Sequence, residues 1–290
     1  MPESKKPLDI DSFWEYSDPA LSEERFEKAL ESAGDDERLE LLTQIARTYG
    51  LRGQFDEAQE RLDEIEKQLD AAGPRPKVRY LLERGRTFNS SGQKEKARQL
   101  FVQAWELAGA EQMEGLGVDA AHMVAITFAG SPEALAWNQR GLEIARDSQD
   151  AKARALIPAM LNNNAWDLFD MARYDEALPL FEETLAEWKA REKTQQIQIA
   201  KWSLARCLRA LERYEEALAI QRELEAEHVA LGSVDGYVFE EIAENLAALD
   251  DVEEARRYYA QAYEALKKDD WFVENEADRL ARLKELSHPN

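Results

Sequence analysis

With 290 residues, 44% hydrophobic and 33% charged, the chain has a soluble globular composition and the length for one large domain, two ordinary ones or an extended repeat array. Its 37 Lys and Arg against 59 Asp and Glu leave a formal charge of −22, which repels nucleic acid and anionic lipid and sets both aside as partners. Nine prolines and 13 glycines are too few to punctuate many short strands, so long helices are expected, and the single cysteine, Cys207, excludes an intrachain disulfide.

Residues 1–12 read as a disordered tail, with two lysines and no apolar run after them. No later stretch approaches a membrane span, so a cytoplasmic protein is expected. Phe13, Trp14 and Tyr16 are too apolar for a free tail and should fold onto the first helices as an end cover. The following "SDPALSEERFEKALESA" predicts a helix with Asp18 or Ser17 as cap and Pro19 near its first turn.

Six segments then align: "GQFDEAQERLDEI", "GQKEKARQLFVQA", "GSPEALAWNQRGL", "ARYDEALPLFEET", "ERYEEALAIQREL" and "DDVEEARRYYAQA". Their shared alanines, Ala58, Ala97, Ala134, Ala177, Ala217 and Ala255, are 39, 37, 43, 40 and 38 residues apart, a period suited to one helix pair per unit. Acidic residues precede most of these alanines and an apolar residue usually follows four positions on, as at the start of an amphipathic helix. Upstream of each alanine runs a second apolar-periodic segment, such as Leu42, Ile45, Ala46 and Tyr49, or Leu81, Gly85 and Phe88. The third unit departs from this pattern, with His122 where the others carry a small residue and Asn138 where they carry an apolar one. "AAGPRP" at 71–76 is the clearest inter-unit turn, and "DDWFVENEADRLARLKEL" predicts a last amphipathic helix with a charged outer side.

This pattern resembles the tetratricopeptide repeat, W-x2-L-G-x2-Y followed by A-x3-F, and the long period with Pro179 early in a second helix resembles the kinesin light-chain type. The resemblance implies an all-α fold: an alpha-alpha superhelix, or solenoid, of about six helix pairs with N- and C-terminal capping helices. One domain would span 13–290, with units near 36–72, 76–110, 114–148, 152–190, 194–231 and 235–269 and a cap at 270–286. A small residue in each first helix would let the second helix pack close, and stacking of pairs would bury what one pair cannot.

Little in the sequence points to chemistry. His122, His228 and His288 lie far apart without metal-ligand spacing, no glycine-rich phosphate loop occurs, and the carboxylates spread along helices as solvated faces. No enzyme activity, cofactor or metal is therefore expected. Cys207 reads as a small buried hydrophobe, and His122 as a hydrogen-bonded histidine between helices in preference to a ligand or pH sensor.

Binding is the richer signal. The resemblance implies that the first helices line a concave groove, placing Arg47, Arg79, Arg86, Met123, Asn162, Asn163, Trp166, Trp202, Arg206 and Arg209 on its surface. In "LNNNAWDLF" Asn162 and Asn163 share a helical face with Trp166 and could grip a peptide backbone, whereas Asn164 falls on the interior face and should hydrogen-bond an adjacent helix. Arginines collected on the inner face of an acidic protein could fork onto the carboxylates of a protein or peptide bearing acidic and apolar groups. The competing reading pairs them internally with Glu83, Asp119, Asp170 or Glu244. Three roles follow in order: a peptide-binding interaction module, a ligand- or peptide-responsive regulatory sensor, and a homo-oligomer formed through Trp14, Trp271 and Phe272 near the ends.

Overall fold

The computed structural model describes residues 8–288, and these contain helices and no strand. None of the helices is long and apolar enough to cross a membrane. The chain forms two compact units divided inside one helix, at residues 160 and 161.

The first unit holds α1 (Pro19–Leu30), α2 (Asp35–Leu51), α3 (Phe55–Glu66), α4 (Pro74–Ser90), α5 (Lys94–Ala110), α6 (Glu114–Thr127), α7 (Pro132–Asp147), the short α8 (Ala151–Ala155) and the start of α9 (Ile157–Asp170). Each helix packs on its sequence neighbour through most of this series, and the first helices of successive pairs, α2, α4 and α6, also touch one another. The second unit continues with the rest of α9, then α10 (Tyr174–Ala190), α11 (Thr194–Ala210), α12 (Tyr214–Ala230), α13 (Gly236–Ala248), α14 (Val252–Leu266), α15 (Asp270–Asn275) and α16 (Ala277–Leu286). There α10 to α14 pack in sequence, α11 touches α13, and α16 covers α14.

The alanine ladder explains the close approach. Ala58, Ala97, Ala134, Ala177 and Ala217 have no exposed surface and Ala255 only 2%, each in the first turn of a second helix. In α4 the partner slot must be glycine, because a Cβ on Gly85 would stand 2.4 Å from the Phe101 ring. Phe101 and Phe181, the aromatic four residues after the alanine, are fully buried, and each stabilises its unit by roughly 1.5–3 kcal/mol through removal of apolar area from water.

The turns are uniform where the sequence is not. The turn inside each helix pair reverses through one left-handed residue, a glycine at Gly53 (φ 75°), Gly92 (φ 83°) and Gly130 (φ 79°) but Ala172, Glu212 and Asp250 at equivalent places. In most of them the following amide closes the helix by bonding back to a carbonyl five residues earlier, as in Gln93 to Phe88 at 2.8 Å and Arg213 to Leu208 at 2.9 Å.

The two departures in the third unit compensate each other: Asn138 is buried and its Oδ1 lies 3.3 Å from Nδ1 of the half-buried His122. Cys207 is buried as expected, with Sγ donating to the Tyr174 carbonyl, and burial pushes its thiol up to about 11.

The ends need two corrections. The expected tail falls partly on residues 1–7, which lie outside the described residues, while from Leu8 onward the chain is packed. Ile10 is 2% exposed, within a 3-10 turn (Ile10–Phe13), and joins a core with Phe26, Leu41 and Ile45. Trp14 stacks on Tyr16 and meets Phe26 edge-on at 5.0 Å, so these aromatics do cover α1 and α2. Asp18 caps α1 by accepting from the Leu21 amide. At the other end Phe272 is fully buried against Tyr237, which removes it from any end-to-end contact, whereas Trp271 is 59% exposed.

Candidate functional site

In the first unit a helical period of three to four residues places Glu40, Gln44 and Arg47 along α2, and Arg75, Arg79, Glu83 and Arg86 along α4. On α6 the corresponding residue is Asp119. The rows meet as a ladder of opposite charges. Arg86 donates to Glu83 at 2.8 Å and, through its Nη2 alone, to both oxygens of Asp119 at 2.5 and 2.7 Å. Arg79 donates to Asp11 at 2.8 Å, with Glu40 3.7 Å away, and Arg75 donates through its Nε to both oxygens of Glu40 at 2.9 and 3.0 Å. Gln44 donates to Glu83 at 3.1 Å, and Arg47 approaches the same carboxylate at 3.6 Å.

Burial sets the electrostatics of this ladder. It disfavours the Asp119 charge, but the Arg86 guanidinium outweighs it and holds the carboxyl below its ordinary value. Asp11 behaves likewise, with Arg79 and Lys152 overcoming its burial. For Glu40 burial prevails over Arg75 and Arg79, and its pKa is raised although it accepts both Arg75 bonds. His122 is pushed down, chiefly by burial.

Arg47, Arg79 and Arg86 converge on one cavity of about 580 Å³, with Arg75, Asp11, Asp119 and Lys152 also on its wall. Met123 lines a second, smaller cavity of about 220 Å³, shared with Arg47, Glu83 and Arg86. Three hydrogen-bonding atoms of the ladder are buried without a partner: Arg47 Nε, Arg79 Nε and Glu83 Oε2. Thr43 and Gln44 are fully buried under the ladder.

In the second unit Trp166 stands on α9 against Phe169 and Phe181, with its ring 6.1 Å from Trp202 of α11. Arg206 lies 5.9 Å over the Phe169 ring, so Trp166, Trp202 and Arg206 share one face. Arg206 and Arg209 both turn to Glu241 of α13, at 2.6 Å and at 2.8 and 3.0 Å. Glu241 has 1% of its side chain exposed. Trp202 also lines a cavity of about 440 Å³ with Ile199, Leu224, His228 and Tyr237. Asn162 and Asn163 are half-buried beside Trp166 in sequence. Asn164 is interior as expected, but the tie to a neighbouring helix is not made through its Oδ1, which is buried without a hydrogen-bond partner.

The arginines are therefore paired internally, with Glu83 and Asp119 as the competing reading has it, and with Glu241 in place of Asp170 or Glu244. Sequence reasoning missed Asp11 and Lys152 because one lies in a segment read as tail and the other on the five-residue α8, and it missed Arg75, which pairs with Glu40 of α2. Among the described residues no group of three or more His, Cys, Asp or Glu is placed to hold a metal ion.

Comparison with known proteins bears on the fold. No curated protein matches by sequence. RapI in its apo form superposes with a TM-score of 0.73 at 15% identity, over 90% of this chain and 74% of that one. NprR in complex with its cognate peptide NprX gives 0.54 at 18% identity, over 97% and 84%. The nearly identical TPR-like repeats of a putative kinesin light chain from Podosopora anserina give 0.54 at 19% identity, over 65% and 94%. A tetratricopeptide repeat family model matches residues 159–190, which are α9 and α10 with the turn between them. By sequence those residues are a tetratricopeptide repeat, and the chain has the fold of the tetratricopeptide-repeat solenoids, including those with kinesin light-chain-like repeats.

Proposed function

We propose that the chain is a non-enzymatic interaction module that holds a peptide or protein segment on the inner faces of its first helices. The observation that carries this reading is the convergence of Arg47, Arg79 and Arg86, from two successive first helices, on one 580 Å³ cavity. The fold of NprR, crystallised with a peptide, supports the same reading, and of the roles set out above it favours the interaction module and the peptide-responsive sensor alike.

Arg47 gives the cleanest test. It lines both cavities of the first unit, its side chain is 21% exposed, and its contact with Glu83 is a loose 3.6 Å. Peptides selected on the protein from a displayed library should bind Arg47→Gln at least about tenfold more weakly, a loss of about 1.4 kcal/mol, while helical circular dichroism stays unchanged. Selection that enriches nothing, or peptides indifferent to the substitution, would remove the first-unit cavity as the site.

A further inference from the structure

The stretch "LDIDSFWEY", residues 8–16, lies on the first-helix face of the first unit and makes the contacts of a bound peptide. Its Leu8 amide donates to Glu37 of α2 at 3.0 Å. Asp11 reaches two cations at once, Arg79 of α4 at 2.8 Å and Lys152 of α8 at 2.5 Å, and Asp9 adds a second contact to Lys152 at 3.3 Å. Three residues on, the Trp14 indole N–H donates to Gln44 at 3.0 Å, and the Arg47 guanidinium lies 5.2 Å over its ring. Asp11 and Tyr16 form part of the wall of the 580 Å³ cavity. The strap thus takes up Arg47 and Arg79, two of the groove cations, with one carboxylate and one aromatic ring.

We infer that residues 8–16 occupy in cis the site of a partner peptide of the same chemistry: a short segment of another protein carrying a carboxylate and, three residues further across a single 3-10 turn, a tryptophan or similar aromatic ring. The inference rests on the peptide-binding reading above and names its ligand class for the first unit. Charge complementarity favours this occupant, since the groove cations meet a strap whose own side chains are Asp9, Asp11 and Glu15. A short tether presents such a strap at an effective concentration on the order of millimolar. A partner arriving at micromolar concentration therefore competes against the strap, which lowers its apparent affinity for the unsubstituted chain without abolishing binding. Disengaging Asp11 raises that affinity.

The test uses the full chain and a fluorescein-labelled synthetic peptide of sequence LDIDSFWEY, followed by fluorescence anisotropy. Asp11→Asn removes the charge that holds the strap to Arg79 and Lys152 and so weakens its hold at Ile10 and Trp14 as well, and it should bind the peptide at least tenfold more tightly than the unsubstituted chain. Adding Lys152→Ala to Asp11→Asn should reverse that gain, because the peptide's own aspartate then loses a cation. Trp14→Phe, which keeps the packing on Phe26 and loses the Gln44 bond, gives a second release variant should Asp11→Asn disturb folding. Equal affinity of both release variants and the unsubstituted chain would overturn the strap as competitor, while the library-selected peptides sensitive to Arg47 would still stand. Binding to none of the proteins would overturn the ligand class assigned here, again without touching that selection. Dimers in sedimentation that the peptide dissociates would give the site to the strap of a second copy and overturn its assignment to a separate partner.

Discussion

Both units bury a glutamate beside arginines, and they do it differently. In the second unit Glu241 is closed: both of its carboxylate oxygens accept from Arg206 and Arg209, which sit three residues apart on α11. Its neighbours on α13 are closed too, Glu240 by Arg279 at 2.6 and 2.7 Å and Glu244 by Arg282 at 2.6 Å. In the first unit Glu83 is fully buried but open, accepting through one oxygen while Oε2 has no partner. Its arginines branch onward to Asp119 or hang loosely, as Arg47 does. A closed set holds helices in place and has no capacity left over. The open ladder leaves Arg47 partly exposed and loosely engaged at a cavity wall, which is why the first-unit arginines are the better binding candidates and Arg206 and Arg209 are needed first for structure.

The largest effect should come from opening the closed set. Arg206→Ala with Arg209→Ala leaves Glu241 buried without a counter-charge and should cost about 3–5 kcal/mol in urea denaturation. Replacing Glu241 by Leu in the same chain should recover most of that, because an apolar side chain carries no desolvation penalty there. Arg47→Gln in the open ladder should cost less than about 1 kcal/mol, since Gln44 and Arg86 still serve Glu83. Equal losses at the two sites would erase the distinction between them.

Acid should separate the two regions next. Asp11 and Asp119 have folded pKa values below the ordinary aspartate value of about 3.9. Their stabilisation is therefore complete above that value and is lost as pH falls through the lowered ones. Glu40 works in the opposite sense: its raised folded value gives a contribution complete in acid and lost as pH rises through it. The denaturation midpoint should drop below about pH 4, and Asp119→Asn should flatten that drop. An unchanged slope in Asp119→Asn would mean that the ladder is not what acid dismantles.

The sequence carried much of this, for physical reasons that differ by residue. Small side chains are demanded wherever two helices approach closely, so the alanine ladder and Gly85 are visible as a period. The turn at Glu212 is not, because a left-handed residue can be tolerated when the helix end is closed by the Arg213 to Leu208 bond. Trp166, Trp202 and Arg206 could be placed on one face from the repeat resemblance together with their helical spacing, but the choice of Glu241 over Glu244 as arginine partner depends on the stagger of helices about 35 residues apart in sequence. Asp11 was hidden because acidic residues dominate its surroundings, although the recurrence of apolar residues at Leu8, Ile10 and Phe13 is a signal for a packed segment. Phe272 could not be told from Trp271 without knowing which side of α15 faces Tyr237.

The smallest effect concerns the pair that breaks the repeat. His122 and Asn138 look like two separate faults in the third unit, yet they satisfy each other across α6 and α7. Substituting one partner leaves a buried polar group unmatched, whereas exchanging both for the apolar residues of the other units leaves none. His122→Ala or Asn138→Leu alone should each cost about 1 kcal/mol or slightly more, and the double variant less than the sum, with a coupling of about 0.5–1 kcal/mol. The histidine also has a pH signature. Its folded pKa is lowered by burial, so its stabilisation is complete above the ordinary histidine value of about 6.5 and is lost as pH falls from there through the lowered one. Denaturation between pH 7 and 5 should therefore show a shallow decline that disappears in the double variant. A decline of the same size in both proteins would place the titrating group elsewhere and leave the His122 and Asn138 pair as packing alone.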